Sequence, residues 1–424
     1  MGADPCALLR LPGDTLDHVL SYTLPEEECQ TLEYLGVLCG VCRRFRAFAM
    51  IAAPARLYLH DFDDEYPALS RKSTSGDKRA RVLRALLRHG WMRQNLEEFH
   101  VSSSSVLLKS GSICDTIRSL LRQLLSLPGG FPSLTWLDIN LQSDYFWGYH
   151  GVDGTLLQCI PTAMPSLERL CLVACFPRGD DNQEELEMEI TPNQWINFFR
   201  RLNRPLQSLS LGQGMMSDEH VKAFMPVVGR DLRRLELIYC FTYDYEVEEE
   251  CRLGDDSAIA VANNCANLVS FSFVHSDITT FALRSVLASN PGIRALDLSC
   301  NESLGSDTAG VIAQYLPQLT ELRNYWPSPE ADWLDNTTLE SLCDSLAGKN
   351  GGDMPLSLLG LQCNNNRIRQ GVMHAIHMGL KVIEIDDEDL HEEVEDSGSA
   401  VGIRYPSYEF YVGGSQMNSH KYEW

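Results

Sequence analysis

The sequence predicts an α/β protein. A short all-helical N-terminal region should lead into a horseshoe solenoid, with parallel strands on the concave face and helices on the convex face. Three observations carry this. An apolar pattern, L-x-x-L-x-L, recurs ten times between Leu96 and Ile385. Stretches with helical apolar spacing return the chain from one copy to the next. The first sixty residues show helical spacing of their own, outside the repeat frame.

The elements follow in order. In LLRLPGDTLDHVLSYTL, Asp14 is a plausible helix N-cap, and Leu16, Val19 and Leu20 share one face at i, i+3, i+4. The run TLEYLGVLCGVCRRFRAFAM (31–50) places Leu35, Leu38, Cys39, Cys42, Phe45 and Ala49 at helical spacing. Cys39 and Cys42 form a C-x-x-C. A structural zinc needs about four ligands, and no second pair sits nearby; a redox pair usually opens a helix. Packing on the apolar stripe is the expected role of both thiols. The segment DKRARVLRALLRHGWMRQ (77–94) reads as a basic amphipathic helix that packs the first repeat.

The repeats begin at Leu96, Leu134, Leu167, Leu206, Leu232, Leu268, Ile293, Leu319, Leu356 and Leu380. Several continue to a Cys or Asn three places on, at Cys175, Cys240, Asn301 and Asn364. This is the leucine-rich-repeat signature. Alternate residues of a strand face opposite sides, so in LERLCLVAC Leu170 and Leu172 should be buried together. A turn follows, in which Asn can bond backbone groups inside the coil. Helices are expected at TTFALRSVLASN (279–290) and DTAGVIAQYL (307–316). One unit cannot stand alone. Burying three or four leucine-like side chains gains ~5–12 kcal/mol, against ~25–50 kcal/mol of backbone entropy for about 25 residues. Neighbours must therefore stack and share a core.

Some steps between repeats reach 36 to 39 residues, where others are 24 to 26. The extra sequence mostly follows a strand, at 144–154, 176–190, 241–256 and 324–336, and combines aromatics with acids. Such insertions emerge on one edge of a solenoid, often the binding edge. Partner contacts are expected from the outward strand positions Trp136, Asp138, Arg169, Arg234, Glu236, Asp297 and Arg323. A second set is an aromatic rim of Tyr145, Trp147, Tyr243, Tyr245 and Trp326. The tail, 391–424, begins acidic and is expected to be partly disordered.

Charge is distributed unevenly. The 424 residues carry a formal charge of −23. Residues 180–190, 244–256 and 384–396 hold 22 acids and one Arg, whereas 71–93 hold eight Lys or Arg against Asp77. Acidic loops select a basic partner segment and an affinity that weakens with salt. No run of roughly 18 apolar residues suggests a membrane span. With no export signal in MGADPCALLRLPGD, the fourteen cysteines are expected to be reduced thiols in the cytoplasm or nucleus. The sequons at Asn301 and Asn336 are then chance matches. No P-loop, G-x-S-x-G, HExxH or paired Cys/His constellation is present, so no catalytic residues, metal site or cofactor are expected.

One region resembles a known family. LPGDTLDHVLSYTL, then VLCGVCRRFRAFA, then Leu57-Tyr58 in ARLYL, looks like an F-box. Gly13-Asp14 replaces the usual acidic pair, and LPEEECQTLEY lengthens the middle connection. An F-box followed by cysteine-containing leucine-rich repeats is similar to substrate receptors of SCF-type cullin–RING ubiquitin ligases. The organisation expected is an F-box at 8–60, a basic linker helix region at 61–95, about ten repeats at 96–390 and the tail.

The resemblance implies that the F-box docks on a Skp-type adaptor, held by a cullin scaffold, and that the repeats hold a target protein for ubiquitination. Adaptor contacts would come from Leu11, Pro12, Leu16, Val19, Leu20, Val41, Cys42 and Phe45. The physical reading agrees, because a helical segment this small and apolar needs a cover. Such a receptor is not itself an enzyme. The alternative is a scaffold or regulator that binds a partner independently of any ligase. Neither reading calls for nucleic acid or a membrane.

Overall fold

The structure is a computed structural model. It describes residues 55–59, 75–103, 119–141, 154–174, 190–212, 216–238, 253–325, 333–361, 368–385 and 401–404. These fall into two compact units.

The first unit contains three parallel strands in chain order: β1 (Arg56–Leu59), β2 (Glu98–Ser103) and β3 (Trp136–Leu141). Leu57, Phe99 and Leu137 stand in register as one buried row, and Leu59, Val101 and Ile139 as the next. Helices α1 (Ser75–Arg88) and α2 (Gly90–Gln94) connect β1 to β2. The expected basic helix is thus part of a repeat. It buries Val82, Leu83 and Leu86, while Arg84 and Arg88 are exposed. Arg93 donates to the carbonyls of Leu86, Leu87 and Gly130, closing the end of α1. Helix α3 (Gly154–Ala163) follows β3.

The second unit repeats one module. It runs β4 (Arg169–Ala174), α4 (Pro192–Arg201), β5 (Ser208–Gly212), α5 (Asp218–Val228) and β6 (Arg234–Ile238). Next come α6 (Asp255–Asn264), β7 (Ser270–Val274), α7 (Thr280–Ser289), β8 (Ala295–Asp297) and α8 (Thr308–Tyr315). It ends with β9 (Glu321–Asn324), α9 (Asn336–Lys349), β10 (Leu358–Leu361), α10 (Arg369–His377), β11 (Val382–Ile385) and β12 (Gly402–Arg404). Every strand is parallel to its neighbours and paired in chain order. This is a leucine-rich-repeat α/β solenoid. Leu170, Leu209, Leu235, Phe271, Leu296, Leu322, Leu359 and Ile383 form one buried ladder, each at most 1% exposed.

Two devices tie one repeat to the next. Asn301 is buried at the turn after β8; its amide donates to Phe273 O (2.6 Å) and Leu298 O (2.8 Å) and accepts from the backbone and hydroxyl of Ser276. The Asn of the repeat pattern thus satisfies the backbone of its own and the preceding turn, and its side chain is only 1% exposed. The helices are also capped across repeats. Asp218, in the first turn of α5, accepts from Gly254 N (2.9 Å) and Ser257 N (3.2 Å) at the start of α6. Asp255, in the first turn of α6, accepts from Thr279 N (2.7 Å) and Thr279 Oγ1 (2.8 Å) at the start of α7. Each acid complements the positive end of a neighbouring helix and bonds its unpaired N–H groups.

The sheets reach past the ten repeats at both ends. Leu57-Tyr58, placed by sequence at the end of the F-box, lies on β1 and pairs with β2. Gly402–Arg404, placed in the tail, pairs with β11 as β12. Short edge segments like these carry too little apolar pattern to announce themselves, and the pairing supplies the backbone bonds that define them. Among the described residues no helix is long and apolar enough to cross a membrane.

Candidate functional site

Strand alternation gives each unit a face turned away from its leucine ladders. On that face of the second unit, one register row reads Cys171, Ser210, Glu236, Ser272, Asp297, Arg323, Gly360, Glu384 and Arg404. The row beside it reads Arg169, Ser208, Arg234, Ser270, Ala295, Glu321, Leu358, Val382 and Gly402. Where the inner rows are almost entirely leucine-like, these are small, charged or hydroxyl-bearing except at Leu358 and Val382.

The β8–β11 part of the face is closed on itself. The Arg323 guanidinium donates to Glu384 (3.0 Å) and Glu321 (3.2 Å). The Tyr325 hydroxyl donates to the same Glu384 oxygen at 2.6 Å, and Glu384 is 2% exposed. Arg323 and Glu384 sit two strands apart with Gly360 between them in register. A Cβ at Gly360 would lie 2.8 Å from Tyr325 Cζ and 2.9 Å from Arg323 Cγ, so the absence of a side chain there lets the pair meet. Burial opposes the charge on Arg323, but the Glu384 carboxylate and its hydrogen bond outweigh it and hold the guanidinium pKa above the ordinary value. Burial, and then the Glu384 carboxylate, push the Tyr325 phenol well above its usual range. The network continues to β8: Tyr325 N donates to Ser299 Oγ, and Ser299 donates to Asp297 through both N (3.0 Å) and Oγ (2.5 Å).

The β5–β7 part is different. Ser210 and Ser272 flank Glu236 on the adjacent strands and are 6% and 8% exposed. Among the described residues neither hydroxyl has a hydrogen-bond partner. Arg234, two residues before Glu236, is exposed.

On the corresponding face of the first unit, His100 is buried among Glu98, Asp138 and Trp136. Its Nδ1 lies 3.1 Å from Asp138 Oδ2 and its Nε2 3.8 Å from Glu98 Oε2. The Trp136 ring meets the imidazole edge-on at 4.3 Å between centroids, and Arg56 pairs with Glu98 at 3.3 Å.

The expected outward positions Trp136, Asp138, Arg169, Arg234, Glu236, Asp297 and Arg323 all fall on these faces. Their settings differ. Arg323, Asp297 and Asp138 bond within the sheet, Arg234 is exposed, and Arg169 and Glu236 are half-buried and have interactions of their own. The rim residues Tyr145, Trp147, Tyr243, Tyr245 and Trp326 lie outside the described residues. So do Leu11, Pro12, Leu16, Val19, Leu20, Val41, Cys42 and Phe45. Within the insertion at 324–336, Tyr325 and Trp333 are core residues, 4% and 1% exposed. Sequence reasoning missed Ser210, Ser272, Gly360, Glu384 and His100. The available signal was positional, since all five occupy the fifth place of an L-x-x-L-x-L copy. Among the described residues no group of His, Cys, Asp or Glu is arranged to hold a metal ion.

No protein-family model matches the chain, and no curated protein matches it either. Solved structures do. One is a chain of the yeast complex of Rad7 and Elc1, with a TM-score of 0.50 and 14% sequence identity, over 89% of this chain and 87% of that one. At that identity the likeness is one of fold.

Proposed function

We propose that this chain is the substrate-recognition subunit of an SCF-type ubiquitin ligase. The F-box-like segment at 8–60 docks on a Skp-type adaptor, and the solenoid holds a target protein. The observation that carries the binding role is the division of labour along each strand. Inner positions build an unbroken apolar ladder, and outer positions present Arg234, Glu236, Arg169 and Trp136 on rigid backbone. A surface ordered before binding loses little entropy on association. The F-box-like sequence supports the ligase role, and the yeast protein of similar fold was itself crystallised as a two-protein complex.

The chain would act without catalysis, in the cytoplasm or nucleus. Tethering target and ubiquitin-loaded enzyme on one scaffold raises their effective concentration. The test is co-purification of the full chain with a Skp-type adaptor. Binding is expected, and the double variant Leu11→Ala/Pro12→Ala is expected to abolish it. No adaptor in the wild-type complex, or unchanged binding by the variant, would refute the ligase reading and leave a ligase-independent scaffold.

A further inference from the structure

We propose that the edge of the second unit where β6, β7 and β8 begin is a docking surface for a short acidic segment of a protein partner, with an apolar residue seated between its acids. This surface is independent of the ligase role and opposite in charge preference to the acidic insertions.

The residues that enter these three strands form a row of their own. Val269 N donates to Arg233 O at 2.7 Å, and Arg294 N donates to Val269 O at 2.7 Å. Arg233, Val269 and Arg294 are thus consecutive on neighbouring strands ~4.8 Å apart, and the row spans ~10 Å. All three are exposed, Val269 by 43%. Arg234 follows Arg233, Arg230 precedes it in the turn out of α5, and both are exposed. Among the described residues no hydrogen bond or ion pair engages the side chain of Arg230, Arg233 or Arg234. Arg294 donates one N–H to Gln318 O at 2.7 Å, and its guanidinium carries further donors. Asp231 is the single acid in 226–234, against three arginines.

Helix dipoles do not account for these cations. A base in the last turn of a helix complements its negative end, but α5, α6 and α7 have none there. Arg233, Arg234 and Arg294 belong to the strand starts instead. At the other end of the same modules the charge reverses: Asp218 and Glu219 open α5, and Asp255 and Asp256 open α6. An anionic segment is therefore drawn to one edge and repelled by the other.

Two features select the occupant. Guanidinium groups bind carboxylates in bidentate fashion, and a valine exposed between two of them offers apolar contact that a purely ionic ligand leaves unused. An extended chain rises ~3.3 Å per residue, so acids two places either side of an apolar residue lie ~13 Å apart, within reach of arginines on a ~10 Å row. Nucleic acid fits less well. Duplex DNA carries a charge about every 1.7 Å along its length, and this chain has a formal charge of −23.

The test uses the full chain and the blocked peptide acetyl-Gly-Glu-Ser-Leu-Ser-Glu-Gly-amide, with versions carrying glutamine for both glutamates or serine for leucine. Affinity is read by ligand-observed NMR above about 0.1 M salt, where a Debye length of ~10 Å or less leaves mainly this edge in reach. The parent peptide is expected to bind and to weaken as salt rises. Arg233→Gln with Arg294→Gln removes two exposed ion pairs and should weaken it about 4- to 25-fold. Val269→Ser should weaken it about 3- to 10-fold, and serine in place of the peptide's leucine should do the same. Arg284→Gln, exposed on α7, is a charge control and should change nothing. Unaltered circular dichroism and melting of each variant exclude unfolding as the cause. The proposal is overturned if the parent peptide shows no binding at millimolar concentration, if the glutamine peptide binds as well, or if either the arginine variant or Val269→Ser is silent. Tighter binding of a twelve-residue oligothymidylate that displaces the peptide would also overturn it, in favour of nucleic acid. Adaptor co-purification does not depend on this edge, so failure of the docking surface and failure of the ligase reading are separable.

Discussion

Gly360→Ala is the most informative perturbation of this face. A methyl group at Gly360 would lie 2.8 Å from Tyr325 Cζ and 2.9 Å from Arg323 Cγ. Non-bonded carbons prefer about 3.5–4.0 Å, so each neighbour must retreat by roughly 0.6–1.2 Å. Tyr325 is 4% exposed, so its displacement is expected to stretch its 2.6 Å bond to Glu384, together with the 3.0 Å contact from Arg323. Overpacking costs ~1–3 kcal/mol, and a weakened hydrogen bond to a charged group costs ~1.5–3 kcal/mol. Alanine recovers ~0.5–1 kcal/mol of backbone entropy relative to glycine. These terms overlap, so the net expectation is a loss of about 2–4 kcal/mol. Solenoids can unfold in segments, so two readouts are needed: urea denaturation for the whole chain and amide hydrogen exchange of β9, β10 and β11 for the local opening. A cycle with Tyr325→Phe isolates the cause, because the variants should couple by more than about 0.5 kcal/mol if they act on one network. A Gly360→Ala protein within about 0.5 kcal/mol of wild type, with unchanged exchange at β9–β11, would refute this account of the glycine.

Further expectations concern the joints between repeats and the buried thiols. Asn301→Ala removes the side chain that bonds Phe273 O and Leu298 O, and should cost about 2–4 kcal/mol by urea denaturation, with exchange accelerated first in β7 and β8. Asp255→Ala unties the cap between α6 and α7 and should cost ~1–2 kcal/mol, while Asp255→Asn should retain part of it. Burial pushes the thiols of Cys265 and Cys343 from 9.0 up to about 12. Both should resist iodoacetamide at pH 8 in the folded chain and react once urea unfolds it. The unfolded chain ionises these thiols near their ordinary value, so their contribution to stability is complete below about pH 9. It should fall as pH rises from there toward 12, and Cys265→Ala with Cys343→Ala should flatten that fall.

The fold was legible because its signal is local. In LERLCL or LRRLEL the spacing of three leucines settles which side of a strand is buried, and that inference needs no knowledge of neighbouring chain. The open face was legible only as a set of positions. Arg323 was recognisable as outward, but its commitment to Glu384, 61 residues away, was not. Such a pairing depends on which strands are two apart in the sheet, and on a glycine between them. The insertions obscured it further, because repeats of 24 and 37 residues give no fixed sequence interval for residues that end up side by side. Tyr325 and Trp333 illustrate the same limit: an aromatic-acidic insertion reads as exposed throughout, yet its two ends return to the core.

The amino-acid order alone therefore specified a stack of parallel strand–helix modules and the direction of each strand side chain, since both follow from short-range apolar periodicity. Which polar side chains satisfy one another, as Arg323 and Glu384 do, was settled by register between strands brought together in space. Hydrogen bonds and ion pairs act over a few ångströms, and only folding brings groups tens of residues apart within that range.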